Sequence, residues 1–141
     1  MERTYSAPRL DKLGVRAAAR VRIVGPIDPE FLAELADRTA DVTELPDTSS
    51  LGPDAGTSGG PVDLVFLAAD APADLASLEA LREAIRPSGA IWVVSRKGRV
   101  ATLRDVEVIA AARAAGLVDN KVVAFSASHT ALRLVIPRAL R

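Results

Sequence analysis

The fold is decided by residues 62–95, which read VDLVFLAADAPADLASLEALREAIRPSGAIWVVS. The segment opens with the nearly continuous apolar run Val62–Ala69 and closes with a second run, Ala90–Ser95. Runs of this kind are typical of strands that are buried on both faces of a sheet. A helix begins at Asp70 and ends in the turn 86–89. Its apolar stripe consists of Leu75, Leu78, Leu81 and Ile85.

The chain before this unit shows the same alternation of strand and helix. Val21–Gly25 is a short β-branched run closed by glycine, and Asp28 followed by Pro29 marks the start of a helix. Asp41–Pro46 alternates apolar with polar residues, as a strand with one solvated face does. These elements predict a parallel sheet with helical crossovers.

The chain after the unit ends in a different pattern. Thr102 and Asp105 form a capping box for a helix that stops at Gly116. Lys121–Phe125 and Ala131–Ile136 are two strands whose connection is too short for a parallel crossover, so we expect an antiparallel hairpin. The predicted fold class is therefore α/β: a three-layer, Rossmann-like, mostly parallel sheet that ends in a β-hairpin.

This arrangement resembles a shortened class I methyltransferase fold, in which a reversed last strand closes a Rossmann-like sheet. The resemblance implies the strand order 2-1-3-4-6-5, numbered along the chain. We expect residues 1–20 to form a basic N-terminal arm and residues 21–141 a single domain. Residues 47–61, rich in Gly, Pro and Ser, predict a flexible loop within that domain.

The composition excludes several classes of protein. The 141 residues include 18 Lys and Arg against 18 Asp and Glu, so the chain is not a generally basic nucleic-acid binder. Without cysteine there is no disulfide framework and no thiol chemistry. The apolar runs are shorter than the roughly 20 residues of a membrane span, and the start lacks a signal-peptide core. We therefore expect a cytoplasmic protein with no membrane partner.

A second resemblance rests on shorter motifs. Gly116–Val122 reads GLVDNKV, and two further matching stretches are Leu13–Val15 and Arg86–Val93. These residues resemble a family of small bacterial proteins catalogued as a domain of unknown function. The chain has His-Thr-Ala at 129–131 where that family has Trp-Ser-Gly, and Val-Ser-Arg-Lys at 94–97 where it has Trp-Pro-Lys. The resemblance implies a methyltransferase-shaped fold and no catalytic residue.

The turn after the first strand bears on cofactor binding. Adenosyl and dinucleotide enzymes have glycines there, which let backbone N–H groups approach the ligand. Here the turn 25–29 has one glycine and two prolines, which lack N–H donors. Gly25, Glu44 and Asp70 are therefore only weak cofactor candidates, and a solvated carboxylate is the favoured interpretation of Glu44. We expect no ordinary adenosyl or dinucleotide cofactor.

The strongest candidate site is a basic turn at the carboxyl end of the fourth strand, where open α/β sheets bind ligands. Its members are Ser95, Arg96, Lys97 and Arg99. These groups can bind a phosphate or carboxylate, helped by the N-terminus of the helix after Thr102. A solvated loop is the alternative interpretation and is the favoured one.

No catalytic or metal-binding residue is predicted. The single histidine, His129, lies in the hairpin turn, where a structural role is favoured over that of a catalytic base. Residues 56–60 match Gly-x-Ser-x-Gly, but they precede a strand instead of following one, as a nucleophile elbow requires.

The sequence thus predicts a non-catalytic Rossmann-like domain that binds a protein partner or a small anionic ligand, without a cofactor. The alternative is a reduced or atypical S-adenosylmethionine-dependent methyltransferase-like enzyme. Nucleic acid is not an expected partner. Self-association through the hairpin is predicted if Leu132, Leu134 and Ile136 share a face that is not fully covered.

Overall fold

The computed structural model describes residues 8–46 and 61–141, and these residues form one six-stranded sheet with helices on its faces. The strands are β1 (Arg20–Val24), β2 (Asp41–Leu45), β3 (Val62–Ala68), β4 (Ile85–Arg96), β5 (Val118–Ala124) and β6 (His129–Val135). The α-helices are α1 (Pro8–Lys12), α2 (Pro29–Arg38), α3 (Leu78–Ala84) and α4 (Asp105–Ala114). Short 3₁₀ helices span Pro72–Ser77, Gly98–Val100 and Arg138–Leu140. The predicted loop at 47–61, apart from Pro61, and the motif at 56–60 lie outside the described residues.

The strand order is β2-β1-β3-β4-β6-β5, as the methyltransferase resemblance implied. β1 pairs in parallel with β2 and β3, and β3 pairs in parallel with β4. β6 runs antiparallel to both of its neighbours, β4 and β5. The connection 125–128 between β5 and β6 is long enough only for a hairpin. The predicted fold class is therefore confirmed.

β3 and β4 are buried on both faces, because successive side chains of a strand point to opposite faces. Phe66 and Trp92 belong to a core cluster beneath α1 and α2, whereas Val65 and Val93 belong to a cluster beneath α3 and α4. None of these four side chains is more than 1% exposed. The predicted apolar stripe packs into the second cluster through Leu75, Leu78, Leu81 and Ile85.

β4 begins at Ile85 instead of the predicted Ala90, because the predicted turn 86–89 is a bulge inside the strand. The register between β3 and β4 shifts at this point. Gly89 permits the close packing, since a Cβ there would lie 2.7 Å from the carbonyl oxygen of Asp63. A bulge and a turn share the same Pro and Gly residues, and only strand pairing distinguishes them.

Two predicted helix starts have different outcomes. Asp28 caps α2 as predicted, and its Oδ1 accepts a hydrogen bond from the backbone N–H of Glu30 at 3.0 Å. The predicted capping box of Thr102 and Asp105 is wrong, because the Thr102 hydroxyl donates to the carbonyl oxygen of Asp70. A tertiary contact replaces the local one.

Residues 8–19 of the predicted N-terminal arm pack on the sheet. Leu10 and Leu13 are at most 2% exposed and belong to the cluster beneath α1 and α2. The indole N–H of Trp92 donates to the carbonyl oxygen of Leu13 at 3.1 Å. The segment therefore completes one face of the core.

Arg9 connects α1 to two distant parts of the chain. Its guanidinium carbon lies 5.0 Å from the ring centroids of both Phe31 and Phe125. Its Nε donates to Glu34 Oε1 at 3.1 Å, and its Nη1 donates to the carbonyl oxygen of Phe125 at 2.7 Å. Stacking and charge-assisted hydrogen bonds act together here, in a partly buried setting that strengthens both.

We expect Arg9→Met to lower the free energy of unfolding by about 1–3 kcal/mol, because the charged hydrogen bonds and the cation–π contacts are lost. Urea unfolding followed by the fluorescence of Trp92, the single tryptophan, measures this change. Arg16→Met is the control, since Arg16 is exposed, and it should change the stability by less than about 0.5 kcal/mol. Equal losses in the two variants would contradict the prediction.

Asp41 joins β1 to β2 at the amino edge of the sheet. Its carboxylate accepts hydrogen bonds from Arg20 Nε at 2.9 Å and from Arg22 Nη1 at 3.2 Å. The Arg22 side chain is only 3% exposed, so its charge depends on such partners. The hydrogen bond from Arg20 is the main reason why the pKa of Asp41 lies below its ordinary 3.8; desolvation opposes the shift, and Arg22 supports it.

Asp41→Asn should lower the free energy of unfolding near neutral pH by about 1–2 kcal/mol, because the charge-assisted hydrogen bonds weaken. The pKa of Asp41 is lower in the folded protein than in the unfolded chain, so this advantage of the wild type is fully present above pH 3.8. It should disappear as the pH falls through the folded-state pKa. Urea unfolding over an acid pH series tests this, with exposed Asp37→Asn as the control. A difference that grows with acidity would rule the idea out.

The end hairpin does not present the surface expected for self-association. Leu132, Leu134 and Ile136 do share one face, but all three are at most 7% exposed and belong to the cluster beneath α3 and α4. The uncovered face on which that prediction depends is therefore absent from this hairpin. Among the described helices, none is long and apolar enough to span a membrane.

Candidate functional site

A cleft opens at the carboxyl edge of the parallel strands, near the junction of β1 and β3. β1 has β2 on one side and β3 on the other, so the chain connections leave this point in opposite directions. Open α/β sheets bind their ligands at such a switch point. The cleft has a volume of about 500 Å³, within the range of small-molecule sites. Its lining includes Val24, Gly25, Pro26, Pro46, Ala68, Asp70, Asp74 and Ser77.

Gly25 shapes the floor of the cleft. Its φ is +84°, and an added Cβ would lie 3.2 Å from the Cβ of Ala68. Its N–H donates to the carbonyl oxygen of Leu45 at 3.0 Å, and Pro26 has no N–H. Gly25 therefore serves the left-handed turn and the close approach to β3. The turn offers a ligand few backbone donors at this point.

Two carboxylates dominate the polar lining. Asp74 Oδ2 accepts hydrogen bonds from the backbone N–H groups of Asp70 at 2.9 Å and Ala71 at 3.1 Å. These bonds hold the start of Pro72–Ser77, a 3₁₀ helix where the sequence predicted an α-helix. Asp70 and Asp74 are the charged side chains among the described residues that line the cleft. The potential there therefore favours cationic or neutral ligands.

Of the three weak cofactor candidates, Gly25 and Asp70 line the cleft, but Glu44 is not among the lining residues. Glu44 is exposed on β2 and lies beside Ile23 in the register. The residue of this strand end that reaches the cleft is Pro46. The alignment of β2 against β1 decides which residue at the end of β2 reaches the cleft, and this strand register was not evident from the sequence.

The four residues of the predicted anion site are not assembled on one side. Ser95 is 4% exposed, and Arg96 follows it on β4, so their side chains leave opposite faces of the strand. The Arg96 Nε lies 3.8 Å from Asp70 Oδ2, and the backbone N–H of Arg96 donates to Asp70 Oδ1 at 3.3 Å. Lys97 and Arg99 follow at the same edge of the sheet, and Arg99 is exposed.

The N-terminus of α4 is not available to that anion site. The backbone N–H of Arg104 donates to Glu107 Oε1 at 2.9 Å. Asp105 and Glu107 both stand in the first turn of the helix. Their carboxylates already complement the positive end of the helix dipole. The expected help from this helix is therefore not seen.

His129 has the structural surroundings that the sequence favoured. Its Nδ1 lies 2.7 Å from the hydroxyl of Ser128. The hydroxyl of Ser126 accepts hydrogen bonds from the backbone N–H groups of Ser128 at 3.3 Å and His129 at 3.1 Å. These are the bonds of a polar turn. No cluster of potential metal ligands occurs among residues 8–46 and 61–141.

The sequence did not single out Asp74, and it singled out Thr102 only as a helix cap. Asp74 lies in the cleft, and Thr102 anchors the segment after β4 to Asp70. A local signal for Asp74 does exist, since an acid soon after Pro72 at the start of a helix commonly accepts backbone N–H bonds. No local signal distinguishes Thr102 from an N-cap.

Comparisons with known proteins bear on this fold. No family model matches the chain, and no curated protein matches it in sequence. The N-methyltransferase NodS from Bradyrhizobium japonicum WM9 matches with a TM-score of 0.63 and 13% identity, over 95% of both chains. An O-methyltransferase (NcsB1) from neocarzinostatin biosynthesis, solved with S-adenosyl-L-homocysteine and 1,4-dihydroxy-2-naphthoic acid, matches with 0.62 and 14%, over 84% of this chain and 49% of that one.

The chain has the fold of class I methyltransferases. A TehB-like S-adenosylmethionine-dependent methyltransferase from Corynebacterium glutamicum also matches, with a TM-score of 0.54 and 12% identity, over 93% of this chain and 86% of that one. The chain spans about half the length of NcsB1. At these identities the likeness concerns the fold alone. Membership of the bacterial family stays a prediction.

Gly25→Ala should be more costly than Gly14→Ala, although both glycines have positive φ values, +84° and +75°. Each alanine pays for a left-handed conformation, about 1–2 kcal/mol. At Gly14 an added Cβ meets nothing within 4 Å, whereas at Gly25 it presses on Ala68. We expect a further loss of about 1 kcal/mol there. Thermal unfolding measures both, and equal losses would show that the contact with β3 does not constrain Gly25.

Proposed function

We propose that the protein is a methyltransferase-like protein that binds an adenosyl compound of the S-adenosylmethionine type in the cleft between β1 and β3. The observation that carries this proposal is the position of the cleft at the switch point of a methyltransferase-shaped sheet. The neighbour NcsB1 was solved with S-adenosyl-L-homocysteine, and this supports the class of ligand proposed.

The charge of the cleft supports an adenosyl compound over a nucleotide. Asp70 and Asp74 would repel the phosphates of a nucleoside di- or triphosphate. S-Adenosylmethionine carries a positive sulfonium group and no phosphate. Asp70 is 46% exposed, and the contact of its Oδ2 with Arg96 Nε is long, at 3.8 Å, so this carboxylate can face such a group. Asp74 already accepts two backbone hydrogen bonds. Asp70 is therefore the residue proposed to select a cation.

The fit of the site to this ligand is partial. The cleft volume of about 500 Å³ is adequate, and the carboxylates suit the charge. In the turn after β1, however, the N–H of Gly25 already donates to the carbonyl oxygen of Leu45, and the next residue, Pro26, has no N–H. When bound, S-adenosylmethionine would supply a methyl group to a nucleophile; the chain's own part is to hold the ligand through Asp70 and exclude water through the apolar wall at Ala68. We expect moderate affinity.

A binding role without catalysis is the second candidate. It is favoured by the poverty of backbone donors in the turn after β1, which the sequence already indicated. The protein would then use the cleft to sense an adenosyl compound or to present it to a partner. The cytoplasmic location and the protein partner stay predictions from the sequence.

Isothermal titration calorimetry tests the proposal with S-adenosylmethionine, S-adenosyl-L-homocysteine and ATP. We expect saturable binding of S-adenosylmethionine, weaker binding of S-adenosyl-L-homocysteine, whose thioether lacks the sulfonium charge, and none of ATP, because of the carboxylates. Asp70→Asn should reduce the preference for the sulfonium compound. Ala76 also lines the cleft, so Ala76→Leu should fill it and weaken binding by about tenfold or more. Ala110→Leu, on the exposed surface of α4, should not.

Two results would overturn this function. One is the absence of saturable adenosyl binding, and the other is binding that Ala76→Leu leaves unchanged. If binding occurs, incubation with methyl-labelled S-adenosylmethionine and a panel of small nucleophiles separates the two candidates. Transferred label supports the enzyme, and binding without transfer supports the non-catalytic domain.

A further inference from the structure

The segment 96–104, which we call the basic loop, concentrates positive charge at the carboxyl edge. It contains Arg96, Lys97, Arg99 and Arg104 and no acidic residue. The chain as a whole has zero net charge, so this concentration is local. It lies beside the acidic cleft, because Arg96 and Asp70 form an ion pair at 3.8 Å.

The basic loop is held in place from two sides. The backbone N–H groups of Arg96 and Lys97 donate to Asp70 Oδ1 at 3.3 Å and to the carbonyl oxygen of Ser128 at 3.0 Å. Further along, the Thr102 hydroxyl donates to the carbonyl oxygen of Asp70. Leu103 is 3% exposed and anchors the loop in the core. The loop backbone is thereby preorganised, which reduces the entropy cost of binding.

The side chains at the start of the basic loop make few contacts with the rest of the described chain. Within residues 8–46 and 61–141, Lys97 and Arg99 make no ion pair or side-chain hydrogen bond. The Arg96 side chain is 53% exposed and has only the long contact with Asp70 in this part of the chain. Three cations within four residues are therefore available to a ligand.

We propose that Arg96, Lys97 and Arg99 form a binding site for a small anionic ligand that carries a phosphate or carboxylate group. This site is separate from the adenosyl cleft. It goes beyond the proposed function, because an anion can bind there when no adenosyl compound is bound. Arginine and lysine donors at an exposed edge bind such groups through charge-assisted hydrogen bonds. Ser95, buried on the opposite face of β4, takes no part.

The flanks of the site favour a small anion over a nucleic acid. Asp70 and Asp74 lie on the cleft side, and Asp105 and Glu107 lie in the first turn of α4 on the other side. A polyanion that extends beyond the basic loop would meet these carboxylates, whereas an anion with one or two charged groups would not.

Asp70 competes with the anion for Arg96. Its carboxylate is the internal counter-ion of that guanidinium and also repels an incoming anion. Asp70→Asn removes the charge but retains an Oδ1 acceptor for the backbone N–H of Arg96, so the loop should stay in place. This substitution should therefore strengthen anion binding while it weakens binding of a cation in the cleft. The opposite signs separate the two sites.

The test is a titration of the ligand-free, isotope-labelled full chain with inorganic pyrophosphate and with citrate, followed by backbone amide NMR. We expect saturable shifts centred on residues 96–99 for at least one anion. The triple variant R96Q/K97Q/R99Q should lose about tenfold or more in affinity. The matched triple variant R16Q/R113Q/R138Q removes the same charge from exposed positions elsewhere and should retain the affinity. Asp70→Asn should bind a few times more tightly, and exposed Asp37→Asn should not.

Each outcome decides the proposal. Preference for pyrophosphate or for citrate identifies the phosphate or the carboxylate as the preferred group, and either result supports the site. Linear shifts without saturation, equal losses in the two triple variants, or no gain in Asp70→Asn would overturn it. Tighter binding of an oligouridylate, with shifts that spread over the surface, would overturn the small-anion assignment. None of these readings needs an adenosyl compound, so a failure of the cleft proposal leaves them intact.

Discussion

Burial of β3 and β4 on both faces is the constraint on which the rest of the structure depends. Parallel strands need long crossovers, and two apolar faces need two covering layers. Helices α1 and α2 therefore cover Phe66 and Trp92, while α3 and α4 cover Val65 and Val93. The same parallel pairing brings the carboxyl ends of β1 and β3 to one edge. The cleft lies at this edge, so its position follows from the parallel pairing that the buried core requires.

Asp70 is the junction between the fold and its candidate sites. Its carboxylate lines the cleft and faces Arg96. Its carbonyl oxygen accepts a hydrogen bond from the hydroxyl of Thr102. One residue at the end of β3 thus holds the basic loop against the acidic cleft. The carboxyl edge is divided into a negative part and a positive part, although the whole chain has zero net charge. The ligands proposed for the two parts carry opposite charges.

The N-terminal segment shows how contacts between distant residues change the meaning of a charged sequence. The cations of residues 1–20 suggested a basic arm, yet Arg9 is engaged with Glu34 and lies against the adjacent rings of Phe31 and Phe125. Leu13, in the same segment, accepts the indole N–H of Trp92. A guanidinium that packs on two rings and pairs with a carboxylate is a structural cation. Only the partners, far away in sequence, distinguish it from one that is free to bind a ligand.

The sequence by itself determined the six strands, most of the helices, the antiparallel hairpin and the two-faced core, because burial and turn chemistry leave local periodic patterns. With the methyltransferase resemblance it also led to the strand order. The tertiary structure alone decided that 86–89 is a bulge, that Thr102 bonds to Asp70, that Pro46 and not Glu44 reaches the cleft, and that Ser95 turns away from Arg96. Each of these depends on strand register or on a partner distant in sequence. Local patterns record which residues are buried, but not which residues they meet.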